Sequence, residues 1–290
     1  MNPIKIDINN YVVSGEGANG FSYNSISDPD EMIKMYNTGY DTHAVVVELE
    51  ATQKAYSIGL NVPEPGDLIT DGQRLGIRFK RIPDKTSFAR AIANNPELLE
   101  PLAKEFAAMC RKLHSTKCKP GLFDDAKHQF LTLLKADTAF DAMQKEKIAD
   151  FIKSAPDSDT ILHGDMHFGN AVISGPVAPQ PAVNRKTLWI DLGSLSTGYY
   201  MFDLGMLYIV THHDQEAFVY ENFHFHRDTA LKFWENFFPA YLGTDDPSVI
   251  QQKEEECRAF AAIKTLLIEF NCGGVLFPHF KKLFFDTILK

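Results

Sequence analysis

The segment His163-Gly164-Asp165-Met166-His167-Phe168-Gly169-Asn170 carries the spacing H-x-D-x-x-x-x-N, and Trp189-Ile190-Asp191-Leu192-Gly193 follows it with D-x-G. Phosphoryl transfer from a nucleotide needs a carboxylate beside the acceptor hydroxyl, oxygen ligands for magnesium, and a loop stiff enough to hold both. Asp165 suits the first role. Asn170 and Asp191 suit the second, because hard oxygen donors match a hard cation. The apolar flanks Ile161-Leu162 and Leu188-Trp189-Ile190 argue against a surface turn that is merely rich in small polar residues.

The N-terminal region adds a second group of residues. Gly15-x-Gly17-x-x-Gly20 alone matches a dinucleotide fingerprint, but that reading needs a helix directly after the glycines. Phe21-Ser22-Tyr23-Asn24-Ser25 is strand-like, which favours a glycine-rich hairpin covering nucleotide phosphates. Lys34 is the only charge in Met32-Ile33-Lys34-Met35-Tyr36, a run that reads as a strand. From Asp41 the period becomes helical, with Val45, Leu49, Thr52 and Tyr56 on one face and Gly59 as the stop. Glu48 shares that side, whereas Glu50 points about 160° to 200° further round at ~100° per residue.

These residues need elements to hold them. The first ninety residues read as strands with one helix, and Asp71-Gly72 between apolar runs signals a hairpin. Beyond Asn95 the pattern is helical apart from strands around 160–191. Asn95-Pro96-Glu97 caps a helix with the face Leu99, Leu102, Phe106, Cys110 and Leu113. Two further helices fill 124–153, and others are expected near 201–213, 226–238 and 247–271, with a short Phe-rich helix last. The cluster Gly175-Pro176-Val177-Ala178-Pro179-Gln180-Pro181 reads as a hairpin tip. Pro83-Asp84-Lys85 marks a boundary, which gives lobes over 1–83 and 84–290.

Composition bounds the remainder. The chain has 290 residues, 38 acidic and 29 basic, for a formal charge of −9, which argues against a nucleic-acid groove. Apolar residues at 44% and charged residues at 23% exclude disordered and fibrous classes. Cys110, Cys118, Cys257 and Cys272 form no C-x-x-C pair, so neither a disulfide nor a zinc framework is expected, and a reducing cytoplasm fits. No signal-like segment and no apolar run of spanning length is present, so membrane partners are not expected.

The segments H163-G-D-M-H-F-G-N170, I190-D-L-G193 and F202-D-L-G205 resemble the aminoglycoside phosphotransferase and choline kinase-like superfamily, from the glycine cluster to about residue 213. The resemblance implies an α+β, bilobal protein kinase-like fold with an antiparallel N-terminal sheet, one helix on it, and a larger helical C-terminal lobe. It makes Asp165 the catalytic base, Asn170 and Asp191 magnesium ligands, and His163 a buried organiser of the loop. Asp203 would hold that loop from below. Gly15, Gly17 and Gly20 would cover the phosphates of ATP or GTP, and Lys34 would bridge two of them while anchored by a carboxylate. Glu48, eleven residues before Gly59 as in the family, is preferred to Glu50. Lys80 and Arg81 stand where a hinge acid often begins the purine contact, a departure from the pattern.

Asp203 follows Asp191 by twelve positions, too few for the peptide-positioning segment of protein kinases. A small hydroxyl-bearing acceptor is therefore expected, of aminoglycoside, choline or sugar type. His212-His213-Asp214, Glu216, Glu221 and His224-Phe225-His226 stand where it would bind, and 12 of the 22 phenylalanines follow residue 217. A cationic acceptor held by acids and aromatic faces is one reading; a phenylalanine core with a solvated acidic rim is the other. The H-x-H pair without further ligands is weak as a metal site.

Overall fold

Alternation in the run 31–36 decides the centre of the N-terminal sheet. Met32, Lys34 and Tyr36 face one way and Ile33 and Met35 the other, and all four apolar members are buried. This strand, β4 (Glu31–Tyr36), lies between β6 (Leu75–Lys80) and β3 (Gly20–Ser25). With β2 (Tyr11–Gly17), β5 (Pro65–Thr70) and the short β1 (Ile4–Lys5), the order is β1-β5-β6-β4-β3-β2. Pairings are antiparallel except that β1 lies parallel to β5. Helix α1 (Thr42–Ser57), capped by Asp41 on the His43 N–H at 2.9 Å, lays Val45 and Leu49 on Met32, Tyr36, Leu68, Ile77 and Phe79. Period 2 therefore turns Lys34 toward α1.

The computed structural model describes residues 2–17, 19–177, 185–271 and 278–290. It divides into two compact units. The first runs to Thr86 and also takes in 170–177 and 185–194. The latter stretches hold the paired strands Ala171–Ser174 and Lys186–Trp189. Residues 178–181 of the expected hairpin tip, and Cys272, lie outside the described residues.

Two local expectations meet definite geometry. Asp71 Oδ1 accepts from Gln73 and Arg74 N–H at 2.9 and 2.8 Å, and Gly72 takes φ +97°, which closes the β5–β6 turn. The glycine cluster leads from β2 into β3, with Gly17 opposite Gly20, so a strand follows the glycines and the dinucleotide alternative is excluded. A Cβ on Gly20 would collide with the Met35 carbonyl of β4, so only glycine fits there.

The second unit holds 87–169 and 195–290 and is mostly helical. Helix α2 (Phe88–Asn94) was not foreseen; α3 (Leu99–Ser115) buries Leu102, Phe106, Cys110 and Leu113, while Leu98 in the preceding 3₁₀ turn is more buried than Leu99. Helices α4 (Ala126–Ala136), α5 (Ala142–Ser154) and α6 (Met201–Thr211) follow. Then come α7 (Glu216–Phe223), α8 (Arg227–Leu242), α9 (Pro247–Asn271) and α10 (Pro278–Thr287). The eight-residue α7 also escapes the sequence reading, since it has neither a side-chain cap nor a clean apolar stripe. A Cβ on Gly205 would come 2.6 Å from the Phe260 backbone, so this glycine permits the close crossing of α6 and α9. Phe106 packs against Phe233 and Phe237 at 5.6 Å, joining α3 to α8.

Candidate active site

In the first unit the candidate residues converge on one lysine. Lys34 Nζ donates to Glu48 Oε1 at 2.8 Å and to Asp191 Oδ1, and it lies 4.9 Å from the centroid of the Tyr36 ring. Glu48 is buried while Glu50 is exposed, because only the former shares the helix face turned to the sheet. Burial opposes the lysine charge, but Asp191 and Glu48 outweigh it and hold the ammonium above its ordinary value.

Asp191 ends the hairpin in a left-handed conformation, φ +58°, which a side chain other than glycine adopts only under local constraint. Across the hairpin the Ile190 N–H donates to the Asn170 carbonyl at 3.0 Å, with Ala171 opposite Trp189. That register sets Asn170 and Asp191 at the same end of the paired strands. An amide and a carboxylate, both oxygen donors, with Asp191 half-exposed and already drawing a cation, fit a hard divalent ion.

The N–H of Lys80 donates to Glu64 and that of Arg81 to Asp30, at 3.0 and 2.7 Å. Both donors at the expected hinge are thus spent within the unit. Gly15 and Gly17 lie in β2 and Gly20 opens β3, on the hairpin whose tip residue 18 lies outside the described residues.

In the second unit the loop that carries Asp165 is fixed from beneath. Asp203, fully buried in the first turn of α6, accepts from the His163 and Gly164 N–H groups at 2.6 and 2.8 Å. It also lies 3.1 Å from His114 Nε2, whose Nδ1 stands 2.8 Å from the Tyr241 hydroxyl. Burial would raise the Asp203 carboxyl, but His114, Lys264 and His163 outweigh it and hold it below the ordinary carboxylate range. Lys264 of α9 is buried, donates to the Gly164 carbonyl, and sits 5.3 Å from the Phe130 ring. Burial pushes its ammonium down, against the attraction of Asp203 and Asp165.

His114, Tyr241 and Lys264 were not foreseen. Each comes from a helix distant in sequence and no local motif marks them, though a lysine inside the apolar stretch Ala259–Leu267 was a legible oddity.

His163 is buried, and its Nδ1 accepts the Asp165 N–H at 3.3 Å. Phe168 packs among Phe223, Phe225 and Phe233 at 4.6, 5.1 and 5.0 Å, which ties the loop to α7 and α8.

The histidines after α6 separate into individual roles. His213 stacks on Phe218 at 4.1 Å, and His226 pairs with Glu216 at 2.6 Å, so one of the acids is already engaged. His212 stacks on Tyr208 at 3.8 Å and faces Trp234. Among the described residues no group of three or more His, Cys, Asp and Glu is placed to hold a metal ion.

Burial pushes the His212 imidazole down to about 4. Unfolded, the ring takes a proton near pH ~6.5, so between that pH and the folded value the unfolded chain binds more protons. Stability is therefore expected to fall as the pH is lowered through this window. His212→Asn, which cannot charge, should lose less; urea midpoints at pH 7 and 4.5 for both proteins check it, and equal losses would refute it.

A sequence profile described as APH, phosphotransferase enzyme family, matches residues 32–234. The chain belongs to that family. No curated protein sequence matches it. Among solved structures it is similar to an aminoglycoside-3'-phosphotransferase of type VIII, with 16% identity and a TM-score of 0.56 over 90% of this chain and 93% of the other. It is also similar to a Plasmodium vivax ethanolamine kinase, at 15% identity and TM-score 0.55, over 88% and 73% of the two chains. A microcompartment-associated aminopropanol kinase follows at 11% identity and TM-score 0.50, over 94% and 87%. These likenesses show a shared bilobal α+β fold. The family profile ends within α8 and does not reach the last two helices.

Free cysteines are found at 110, 118 and 257, and no described helix is long and apolar enough to cross a membrane.

Proposed function

We propose that this family member transfers the γ-phosphoryl group of ATP or GTP to a hydroxyl of a small, amine-bearing alcohol. The observation that carries the reading is the double tie of Lys34 to Glu48 and Asp191, in a chain where Asp203 clamps the backbone of the loop holding Asp165. Phosphoryl transfer is mostly positioning and charge stabilisation, and these residues supply both.

Asp165 orients the acceptor hydroxyl and takes its proton as the oxygen bonds to phosphorus; the bond to the bridging oxygen breaks, and its electron pair leaves with the nucleoside diphosphate. Lys34, held upright by Glu48, donates to the nucleotide phosphates. Asn170 and Asp191 would hold magnesium, which when bound neutralises phosphate charge. The glycine hairpin at 15–20 would lay backbone N–H groups over the phosphates. The short 191–203 segment favours a small acceptor over a polypeptide. Aminoglycosides, ethanolamine and aminopropanol, named for the fold relatives, all join an amine to a hydroxyl. Asp214, just before α7, and Glu221, on it, are exposed and supply negative charge of the matching sign.

Asp191→Ala is expected to abolish the thermal stabilisation that Mg-ATP gives the protein, since it removes the carboxylate of the pair that would hold magnesium and leaves Asn170 alone. Undiminished stabilisation would defeat the assignment. A screen of labelled ATP with amino alcohols, amino sugars, neutral sugars and protein tests the acceptor: turnover only of neutral sugars removes the charge argument, and turnover only of protein removes the small-molecule reading.

A further inference from the structure

His167 stands two positions after Asp165, and its ring is held on three sides. Nδ1 accepts the Gly169 backbone N–H at 3.0 Å, so a neutral ring carries its proton on Nε2. That nitrogen lies 3.8 Å from Asp165 Oδ2. The ring meets Phe223 of α7 edge-on, with centroids 5.5 Å apart at 66°. A Cβ on Gly169 would come 2.8 Å from both Cε1 and Nδ1 of the ring, so residue 169 must be glycine while the imidazole is there. The imidazole cannot swing away without giving up the Gly169 bond.

This arrangement excludes one role and supplies another. A general base needs a free lone pair, and in this tautomer Nδ1 is occupied by Gly169 while Nε2 bears a proton. Nε2 instead has the Asp165 carboxylate as a near neighbour, at 3.8 Å, longer than a hydrogen bond and within the distance a small side-chain shift on substrate binding would close. Resting on the phosphotransferase reading, we propose that His167 is a positioning residue for Asp165: its Nε2–H fixes the orientation of the carboxylate that receives the acceptor proton, which then leaves from Asp165 to solvent. The role parallels that of the third member of a catalytic triad, with the donor and acceptor exchanged.

The first measurement needs no turnover. Imidazole nitrogen NMR shifts of the full chain should show His167 as the Nε2–H tautomer with Nδ1 accepting a hydrogen bond; the Nδ1–H tautomer, or a rapidly exchanging mixture, would overturn the proposal.

The second uses Mg-ATP with ethanolamine as acceptor, or with water where ethanolamine is not turned over. His167→Asn keeps an oxygen for the Gly169 N–H and loses the donor to Asp165, so kcat should fall about ten- to hundredfold with KM for ATP little changed. His167→Gln, whose amide reaches the Nε2 position, should recover most of that loss. Equal rates in the two variants at matched melting temperatures would make His167 a packing residue only. A wild-type protein that transfers to no acceptor in the screen and not to water would sink the phosphotransferase reading and this role with it, whereas the wrong tautomer in an active enzyme sinks this role alone.

Discussion

Asp165→Asn is expected to lower phosphoryl transfer by about two to four orders of magnitude, the usual range for a positioned base, while Mg-ATP binding stays near wild type. The amide preserves the shape and the backbone of the loop: the Asp165 N–H still donates to His163 Nδ1, and Asp203 still holds residues 163 and 164. What disappears is the charge that, on the proposed reading, orients the hydroxyl and accepts its proton. The expected signature is a loss in kcat with little change in the melting-temperature rise caused by Mg-ATP. Single-turnover rates with the acceptor found in the screen make the comparison, and an undiminished rate would remove Asp165 from its role.

The largest effect on stability is expected at Asp203. Alanine there strands the His163 and Gly164 N–H groups and His114 Nε2, all buried, and takes away the negative partner facing Lys264. Breaking a buried, hydrogen-bonded charge cluster by removing one member costs about 3–5 kcal/mol, and Asp203→Asn should cost less because one acceptor oxygen remains. Trp234 lies in the second unit and Trp189 in the first, so a Trp189→Phe background makes urea-induced fluorescence changes report the second unit. A midpoint for Asp203→Ala within error of its parent would show that the cluster does not stabilise the fold. Because the Asp203 carboxyl sits below its ordinary value when folded, its contribution is full above the unfolded value near pH ~4 and is lost as the pH falls through the folded one. Acid unfolding of Asp203→Asn should accordingly be shallower than that of wild type.

Both predictions concern one loop, yet they differ in how far the chain alone announces them. Asp165, Asn170 and Asp191 stand out as candidates because their residue types fall in short motifs, and the hairpin register that sets Asn170 and Asp191 at one end agrees with that spacing. Lys34 is legible for a related reason: a single charge in an apolar strand must face something, and period 2 gives its side. Helical phase and the spacing to Gly59 favour Glu48 over Glu50 without deciding between them, and the ion pair of Lys34 with Glu48 at 2.8 Å decides it.

The glycine cluster shows where a motif alone runs out. Gly15-x-Gly17-x-x-Gly20 fits two chemistries, and only the element after it, a strand pressed so closely on β4 that residue 20 has no room for a side chain, separates them. Helices α2 and α7 were missed because each is short: α2 has a Ser87 cap and a buried face of Phe88, Ala91 and Ile92 but is under two turns long, and α7 has no side-chain cap.

Local pattern in the chain is enough to specify its two regimes, the strands, the candidate phosphate-binding lysine and the candidate catalytic loop, because each depends on contacts within a few residues or on a periodic repeat. The support beneath that loop belongs to the packed fold and to nothing more local. His114, Tyr241 and Lys264 reach it from α3, α8 and α9, and the helix packing that delivers them is set by the fit of many apolar side chains at once, among them Phe106, Phe233 and Phe260. Hydrophobic burial is non-directional, so it leaves no spacing rule in the sequence from which such partners can be read.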